Sequence, residues 1–308
     1  MQAGLRMEQT NSEGDLTRED GTYQPDDTVK RNYLDFFPST AITYTMNDKN
    51  TFGLTYSRRI DRPSYQNLNP FENKLDQLTY EKGNAFLLPQ YTDNIELSHT
   101  FHSIFTTTIG YSYVKDYATQ VTDTTNGNAT YVQQQNIASQ RIFSLNMGSQ
   151  LPINKWWNGY ANLWFNYQQV KGSYNNIIVD VSSPGYGAYM QNSFTLGKDY
   201  TAELSGWLYG AGLEATWKHK TMGGLDAGIQ KLIMQKKASI KVSFTDILNT
   251  QKFRATSDYG GSSLNLTQYG ENQTVHISFS YRFGSNNIKA ASQHKTGLES
   301  ESSRIKNN

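Results

Sequence analysis

Residues 274–283 read Thr-Val-His-Ile-Ser-Phe-Ser-Tyr-Arg-Phe, and this stretch decides the fold. Its odd-numbered positions, Val275 to Phe283, are all apolar or aromatic, and its even-numbered positions are polar. Successive side chains of a β-strand point to opposite faces, so this segment has one apolar face and one polar face. The pattern predicts a strand that separates hydrocarbon from water.

Twelve segments of the chain show the same alternation. They cover residues 1–10, 33–46, 50–60, 90–101, 105–117, 139–151, 156–171, 184–195, 199–211, 221–233, 237–249 and 271–284. A tilted strand needs about 9–11 residues to cross a bilayer, and most segments reach that length. The sequence therefore predicts about twelve membrane-crossing strands.

The connections between these segments alternate strictly between short and long. The short ones are 47–49, 102–104, 152–155, 196–198 and 234–236, and the long ones are 11–32, 61–89, 118–138, 172–183, 212–220 and 250–270. Bacterial outer-membrane barrels have short periplasmic turns and long extracellular loops. The fold class predicted is an all-β, antiparallel transmembrane β-barrel. A soluble β-sandwich shares the alternation but gives no reason for the one-sided connections.

Composition supports this class and excludes others. The chain has 308 residues, a net charge of +1, a mean hydropathy of -0.67 and no cysteine. A charge this close to zero gives no argument for a nucleic-acid partner. Without cysteine there is no disulfide framework and no thiolate metal site. Aromatic residues make up 13% of the chain, which is too many for a disordered protein.

The alternation assigns the two faces of the wall. Toward lipid we place Phe105, Ile109, Tyr111, Tyr113, Phe143, Leu145, Met147, Leu163, Phe165 and Tyr167. Toward the lumen we place Thr106, Thr108, Gly110, Ser112, Ser144, Asn146, Gly148, Asn162, Trp164 and Asn166. Aromatic residues beside the short turns, such as Trp156 and Trp157, fit an interfacial belt. The lumenal aromatics Trp164 and Trp207 could stack on a sugar or pack against a plug.

Several segments carry a family resemblance. They are Tyr56–Tyr65, Leu68–Phe71, Gly83–Thr92, Glu96–Ser98, Ala202–Gly206, Phe244–Thr250 and Ser280–Gly284. Their order and spacing resemble the C-terminal barrel of the outer-membrane β-barrel family related to TonB-dependent receptors. The resemblance extends to about residue 284. One departure is Ala85, where the family usually has a proline.

The resemblance implies a barrel of 22 strands with a plug domain in its lumen, of which this chain would be the C-terminal wall. Such receptors import iron chelates or oligosaccharides. The implied partners are outer-membrane lipid, an upstream plug, an inner-membrane energy-coupling protein and a surface lipoprotein; no nucleic acid and no cofactor are expected. The first ten residues look like a strand and not like a signal peptide, so we expect a longer protein or a truncated gene model. The alternative function is a structural or adhesive barrel that displays its long loops.

The connection 61–89 is the longest and holds most of the candidate site residues. These are Arg58, Arg59, Asp61, Arg62, Tyr65, Asn69, Tyr80 and Asn84. Loops on a rigid wall are where recognition usually occurs, so one interpretation is a loop that contacts a ligand or the plug. The other is a loop held together by its own Arg–Asp pairs and proline turns.

Catalytic and metal-binding patterns are weak. His99 and His102 form an H-x-x-H pair without a third ligand, which is a poor metal site. His276 lies on lumenal parity, but no G-x-S-x-G elbow and no orienting acid accompany it. We expect neither an enzyme nor a metal protein. The predicted domains are a barrel over residues 1–284 and a disordered, periplasmic tail over residues 285–308.

Overall fold

A computed structural model describes residues 1–15, 28–123, 130–174, 177–214, 217–259, 262–283 and Arg304. The described chain is almost entirely β-structure, with one short helix, α1 (Tyr65–Leu68). The strands are β1 (Gln2–Asp15), β2 (Thr28–Asn47), β3 (Asn50–Asp61), β4 (Glu72–Lys74), β5 (Thr79–Lys82), β6 (Gln90–Phe101), β7 (Phe105–Asp123), β8 (Thr130–Pro152), β9 (Trp157–Tyr174), β10 (Ile177–Gly197), β11 (Tyr200–Tyr209), β12 (Gly212–Glu214), β13 (Trp217–His219), β14 (Met222–Ile233), β15 (Ala238–Thr245), β16 (Lys252–Tyr259), β17 (Ser262–Tyr269) and β18 (Thr274–Tyr281). No helix within the described ranges has the length and apolarity to span a bilayer.

Twelve strands form one continuous wall. Their order is β1-β2-β3-β6-β7-β8-β9-β10-β11-β14-β15-β18, and neighbours in the wall pair antiparallel. These strands coincide with the twelve alternating segments, so the strand count and the antiparallel class are confirmed. In the described part of the chain, β1 pairs only with β2 and β18 only with β15, which leaves the wall open at two edges.

The register confirms the face assignment. Ile109, Leu145 and Phe165 are direct cross-strand partners and therefore share a face. Ile109 is 58% exposed and Phe165 46% exposed, as expected for side chains that meet lipid and not a protein core. The neighbouring row on the other face is small and polar: Gly110, Ser144 and Asn166.

The short-turn end of the wall carries aromatic contacts. The rings of Trp156, Trp157 and Phe194 lie within 6.1 Å of one another between centroids. The Lys231 ammonium lies 4.6 Å from the centroid of the Tyr200 ring, its cross-strand partner. Tryptophan, tyrosine and lysine in these positions suit the boundary between hydrocarbon and water.

Five strands continue well past the bilayer, which corrects the predicted connections. Strands β2, β7, β8, β9 and β10 have 20, 19, 23, 18 and 21 residues. Most of the predicted loops 118–138 and 172–183 is therefore strand, and 250–270 contains β16 and β17. Beyond the membrane no face must be apolar, so the alternation fades while backbone pairing continues.

The buried apolar cluster lies in these extensions. Val121, Ile137, Val170, Val179 and Leu213 pack together, each at most 9% exposed. Leu213 belongs to β12, which forms a second sheet of order β12-β13-β16-β17. Val170 lies thirteen positions beyond Trp157, past the roughly 9–11 residues that cross the bilayer. Water surrounds this part of the chain, so its apolar side chains pack against each other and not against lipid.

Asp246, which interrupts the alternation, directly follows β15. Its side chain is fully buried and its backbone has φ 45°. The carboxylate accepts the amide N–H groups of Thr250 at 2.9 Å and Gln251 at 3.3 Å, and the Asp246 amide donates to the Asp226 carboxylate at 2.8 Å. β15 ends at Thr245, so Asp246 lies just beyond the strand and begins the turn that follows it.

Candidate functional site at the long-connection end of the wall

Residues 61–89, here called the strap loop, have local structure of their own. The Ser64 hydroxyl caps α1 by accepting the Asn67 amide at 3.3 Å. Strands β4 and β5 form a small hairpin, and the Asp76 carboxylate closes its turn by accepting the amides of Leu78 at 2.8 Å and Thr79 at 2.9 Å. The Leu78 amide, together with Thr79, holds the pKa of the Asp76 carboxyl below its ordinary value.

One anchor of the strap loop is the wall at β1 and β2. A guanidinium nitrogen of Arg62 donates to the Glu8 carboxylate at 2.8 Å and to the Thr10 hydroxyl at 2.9 Å. Burial lowers the pKa of Arg62, but hydrogen bonds with Glu8 and Tyr33 outweigh burial and leave that pKa above its ordinary value. Arg31 of β2 donates back to the loop, to the carbonyls of Ala85 and Leu87.

The second anchor is the extension of β8. The Asn84 side-chain amide donates to the Gln135 side chain at 3.1 Å, and the Gln133 side chain donates to the Gly83 carbonyl at 2.8 Å. Strand β5 pairs parallel with residues 130–132 of β8. The strap loop is thus bonded along β8 through both backbone and side chains.

Asn136 fastens the end of the strap loop. Its Oδ1 accepts the Leu88 amide at 2.7 Å, and its Nδ2 donates to the Leu88 carbonyl at 3.1 Å and to the Asp116 carbonyl at 2.6 Å. One side chain therefore joins the strap loop to β7 and β8. Leu87, the residue before Leu88, is buried beside these hydrogen bonds and is 2% exposed.

The two anchors are far apart in the wall. Four strands, β2, β3, β6 and β7, separate β1 from β8, which corresponds to about 24 Å at the usual strand spacing of about 4.8 Å. Glu8, Thr10 and Arg31 all lie on lumenal parity, because their neighbours Met7, Leu34 and Phe36 form the exposed apolar face. The strap loop therefore crosses the lumenal side of the wall at the end that carries the long connections.

The strap loop encloses two hollows of about 500 Å³ each. One is lined mainly by side-chain amides: Gln66, Asn67, Asn69, Asn73, Gln120, Gln133 and Gln134. Phe71 adds an apolar surface to both hollows. Amides both donate and accept hydrogen bonds, so this lining suits a polar ligand rich in hydroxyl or amide groups. Beside it, the rings of Tyr80 and Tyr131 stack at 5.6 Å between centroids.

The structure brings some predicted site residues together and separates others. Arg62, Tyr65, Asn69, Tyr80 and Asn84 belong to the strap loop, and each makes one of the loop's contacts. The Asp61 side chain is exposed and accepts a 3.5 Å hydrogen bond from the Gln90 side chain.

The other two predicted arginines remain on β3. The Arg58 guanidinium lies 5.4 Å from the centroid of the Tyr91 ring, and the exposed Arg59 follows it. Both residues belong to the wall and not to the strap loop.

A lumenal aromatic stack lies on the other half of the wall. Trp164 contacts Tyr209 at 5.5 Å, and His219 stacks on Tyr209 at 4.4 Å and lies 6.5 Å from Phe253. Burial lowers the pKa of His219 below its ordinary value. Trp207 lies against Gly224, where a Cβ would be 2.7 Å from the indole nitrogen. Both predicted lumenal tryptophans therefore pack on the wall.

Sequence reasoning missed Gln133–Asn136 and His219. The run Gln-Gln-Gln-Asn at 133–136 lacks apolar alternation, which predicts a connection and not a strand. A cluster of four side-chain amides between two β-prone segments was the available signal. Within the described ranges no three His, Asp or Glu side chains are grouped as metal ligands would be.

The predicted tail, 285–308, lies outside the described residues except for Arg304. The Arg304 side chain donates to the Pro63 carbonyl at 3.2 Å and lies 4.5 Å from the centroid of the Tyr65 ring. This residue therefore lies with the strap loop, which is at odds with a periplasmic position for Arg304 if the strap loop is extracellular.

A wall of amphipathic antiparallel strands with an aromatic belt and one-sided long connections defines an outer-membrane β-barrel. The chain belongs to the outer membrane protein beta-barrel family, which it matches over residues 1–281. No curated protein matches the sequence at a significant level.

The solved structures that this chain resembles include receptors and a transporter. The siderophore receptor PirA from Pseudomonas aeruginosa is 15% identical, with a TM-score of 0.54 over 73% of this chain and 41% of that one. The copper transporter OprC is 12% identical, with a TM-score of 0.68 over 91% and 45%. The ferric yersiniabactin uptake receptor FyuA from Yersinia pestis is 14% identical, with a TM-score of 0.56 over 83% and 39%. The chain thus spans less than half the length of these proteins, and at such identities the likeness shows the fold alone.

Proposed function

We propose that this chain is the C-terminal wall of a plugged, energy-coupled outer-membrane transporter for nutrient uptake, with an iron chelate or an oligosaccharide as its ligand. The observation that carries the proposal is the strap loop, which crosses the lumenal side of the wall between Arg62 and Asn136. A loop in this position contacts whatever enters the lumen from the long-connection end, or the plug beneath it. The similar solved structures include proteins named as siderophore receptors and a copper transporter.

The open edges support a wall that is completed by further strands. In lipid an unpaired strand edge is very unfavourable, because its N–H and C=O groups find no water. The β1 and β18 edges are therefore expected to pair with other strands of a 22-strand barrel. The partners that belong to this proposal are the plug, the energy-coupling protein and a surface lipoprotein, with the long connections extracellular. Because Arg304 lies against the strap loop, a periplasmic tail is not part of the proposal.

Catalysis is not part of the proposal. Among the described residues, the His276 ring is hydrogen-bonded to the Thr274 hydroxyl at 3.0 Å, which provides no acid to orient it. The lining of the strap-loop hollows binds and positions a ligand but offers no nucleophile paired with a base.

The test is uptake by cells that carry the full-length protein with or without an altered strap loop. We expect Asn84→Ala combined with Gln133→Ala to reduce accumulation of a labelled iron chelate or a labelled oligosaccharide severalfold, because both side chains hold the loop on β8. Gln77→Ala is the control within the same loop, since the Gln77 side chain is exposed, makes no hydrogen bond among the described residues and lines neither hollow.

Each result has a defined meaning. Loss of accumulation of one ligand class in the double variant, with normal amounts of folded protein in the outer membrane, supports transport. A gene deletion that changes surface adhesion but the accumulation of neither class would favour the alternative of a displaying, non-transporting barrel.

A further inference from the structure

A hollow of about 700 Å³ lies at β10, β11 and β14, and most of its strand residues belong to their membrane-facing side. Two cross-strand rows form its floor, Ala188–Leu208–Gly223 and Met190–Gly206–Leu225. By alternation these rows share a face with Leu204 and Ile229, which are 39% and 43% exposed. Small and large side chains alternate in both rows, so Ala188, Gly206 and Gly223 leave a depression between larger neighbours.

The walls of the depression are apolar. Met190 is 45% exposed, Leu208 41% and Leu248 62%. Such side chains on the outer face of a barrel meet acyl chains, and a depression among them holds one chain more closely than a flat wall does. The apolar part of the hollow thus fits hydrocarbon.

The upper end of the hollow is basic. The Thr250 hydroxyl donates to the Gly223 carbonyl at 2.7 Å and closes the depression at the end of β14 that carries a long connection. Lys252 and Arg254 follow it and line the same hollow. The lining includes no Asp or Glu, and neither cation makes an ion pair within the described ranges.

An apolar depression below two cations matches a lipid with an anionic head group. Lysine and arginine are strong partners of phosphate oxygens, and cations near a membrane surface attract anionic lipids. We propose that this hollow binds an acylated, phosphate-bearing lipid of the outer leaflet, with an acyl chain over Gly206 and the phosphate between Lys252 and Arg254. The site shares no lining residue with the strap-loop hollows, so it is independent of the ligand proposed for the lumen.

The experiment uses the full-length protein in detergent and native mass spectrometry of retained lipid. The probes are a diphosphorylated lipid A and the same lipid with its phosphates removed. We expect the diphosphorylated lipid to be retained roughly tenfold or more strongly than the dephosphorylated one, because two cations contact the head group. The double variant Lys252→Gln/Arg254→Gln should remove this difference.

Two further variants test the role of the apolar depression and the specificity of the charge effect. Gly206→Leu fills the depression and should weaken retention of both lipids. Lys155→Gln/Lys236→Gln removes two cations from the short-turn end and should leave the retention of both lipids unchanged. A heat-shift gel verifies that each variant is folded, and the charge variants suffice if Gly206→Leu does not fold.

Three results would overturn the proposal. One is equal retention of both lipids by the unaltered protein. Another is unchanged preference in Lys252→Gln/Arg254→Gln. The third is a protein, and not a lipid, captured in cells by a photo-crosslinking residue at position 248.

Discussion

The indole of Trp164 lies against the backbone of Gly187, its cross-strand partner, so closely that a methyl group at Gly187 would overlap the ring. The glycine therefore provides the surface on which a lumenal tryptophan packs. Trp207 and Gly224, also cross-strand partners, repeat the arrangement two strands away. An aromatic side chain that covers a strand glycine is a known way to compensate for the missing side chain.

Gly187→Ala is expected to destabilise the barrel by about 1–3 kcal/mol, the usual cost of overpacking. The new Cβ displaces the Trp164 ring from its contact with Tyr209. The measurement is the urea midpoint followed by tryptophan fluorescence. The control is Gly228→Ala, where a Cβ would be 3.5 Å from its nearest neighbours and should change little. Equal midpoints for the two variants would contradict the close packing of Trp164.

The two faces of the wall are expected to respond differently to charge. Ile109→Arg places a guanidinium in hydrocarbon at a cost of about 2–4 kcal/mol near the bilayer midplane. Thr108→Arg, one position earlier on β7, points to the lumen beside Ser98 and Asn146 and should be tolerated. The measurement is the fraction of each variant that inserts as folded barrel. Similar insertion of both would mean that the faces are assigned wrongly.

The difference between the lipid-facing and the lumenal side chains could be predicted from sequence, because the bilayer itself imposes the alternation. All twelve wall strands follow from it, as does the lumenal parity of Trp164. The strap loop could not be predicted in the same way, because its contacts join positions about fifty residues apart, such as Asn84 and Gln135. Those contacts depend on register and on polar strand extensions, and neither leaves a periodic signal. The same holds for the contact between Trp164 and Gly187.

Asn136→Ala is expected to loosen the strap loop without unfolding the wall. The variant loses three hydrogen bonds that join β8 to Leu88 and Asp116, each worth about 0.5–1.5 kcal/mol net. The measurement is hydrogen exchange of residues 83–88, which should become faster, while exchange in residues 142–150 stays slow. Asn73→Ala is the matched control and should leave both regions unchanged. Exchange that rises equally in both regions would show that Asn136 supports the wall as a whole.

The contact of His219 with Tyr209 is expected to weaken at acid pH. Burial lowers the pKa of His219 while its ring is stacked on Tyr209, whereas an exposed histidine has a pKa of about 6.5. The stacked arrangement therefore has its full stability above about pH 6.5. It loses stability as the pH falls from there through the lowered pKa. Hydrogen exchange of residues 217–219, corrected for intrinsic rates, should show this loss. His219→Gln should remove the pH dependence, and a persistent dependence would assign it to another group.

Asp246 allows a last prediction, on the turn that ends β15. Asp246→Ala leaves the amides of Thr250 and Gln251 without their acceptor, at about 0.5–1.5 kcal/mol net for each hydrogen bond lost. Asp246→Asn retains one acceptor oxygen and tolerates the left-handed backbone at this position, so its cost should be smaller. The amide of residue 246 still donates to Asp226 in both variants, which isolates the effect of the side chain. The urea midpoint is expected to fall from the wild type to Asp246→Asn and to fall further in Asp246→Ala. If Asp246→Ala were as stable as Asp246→Asn, water would replace the carboxylate as acceptor.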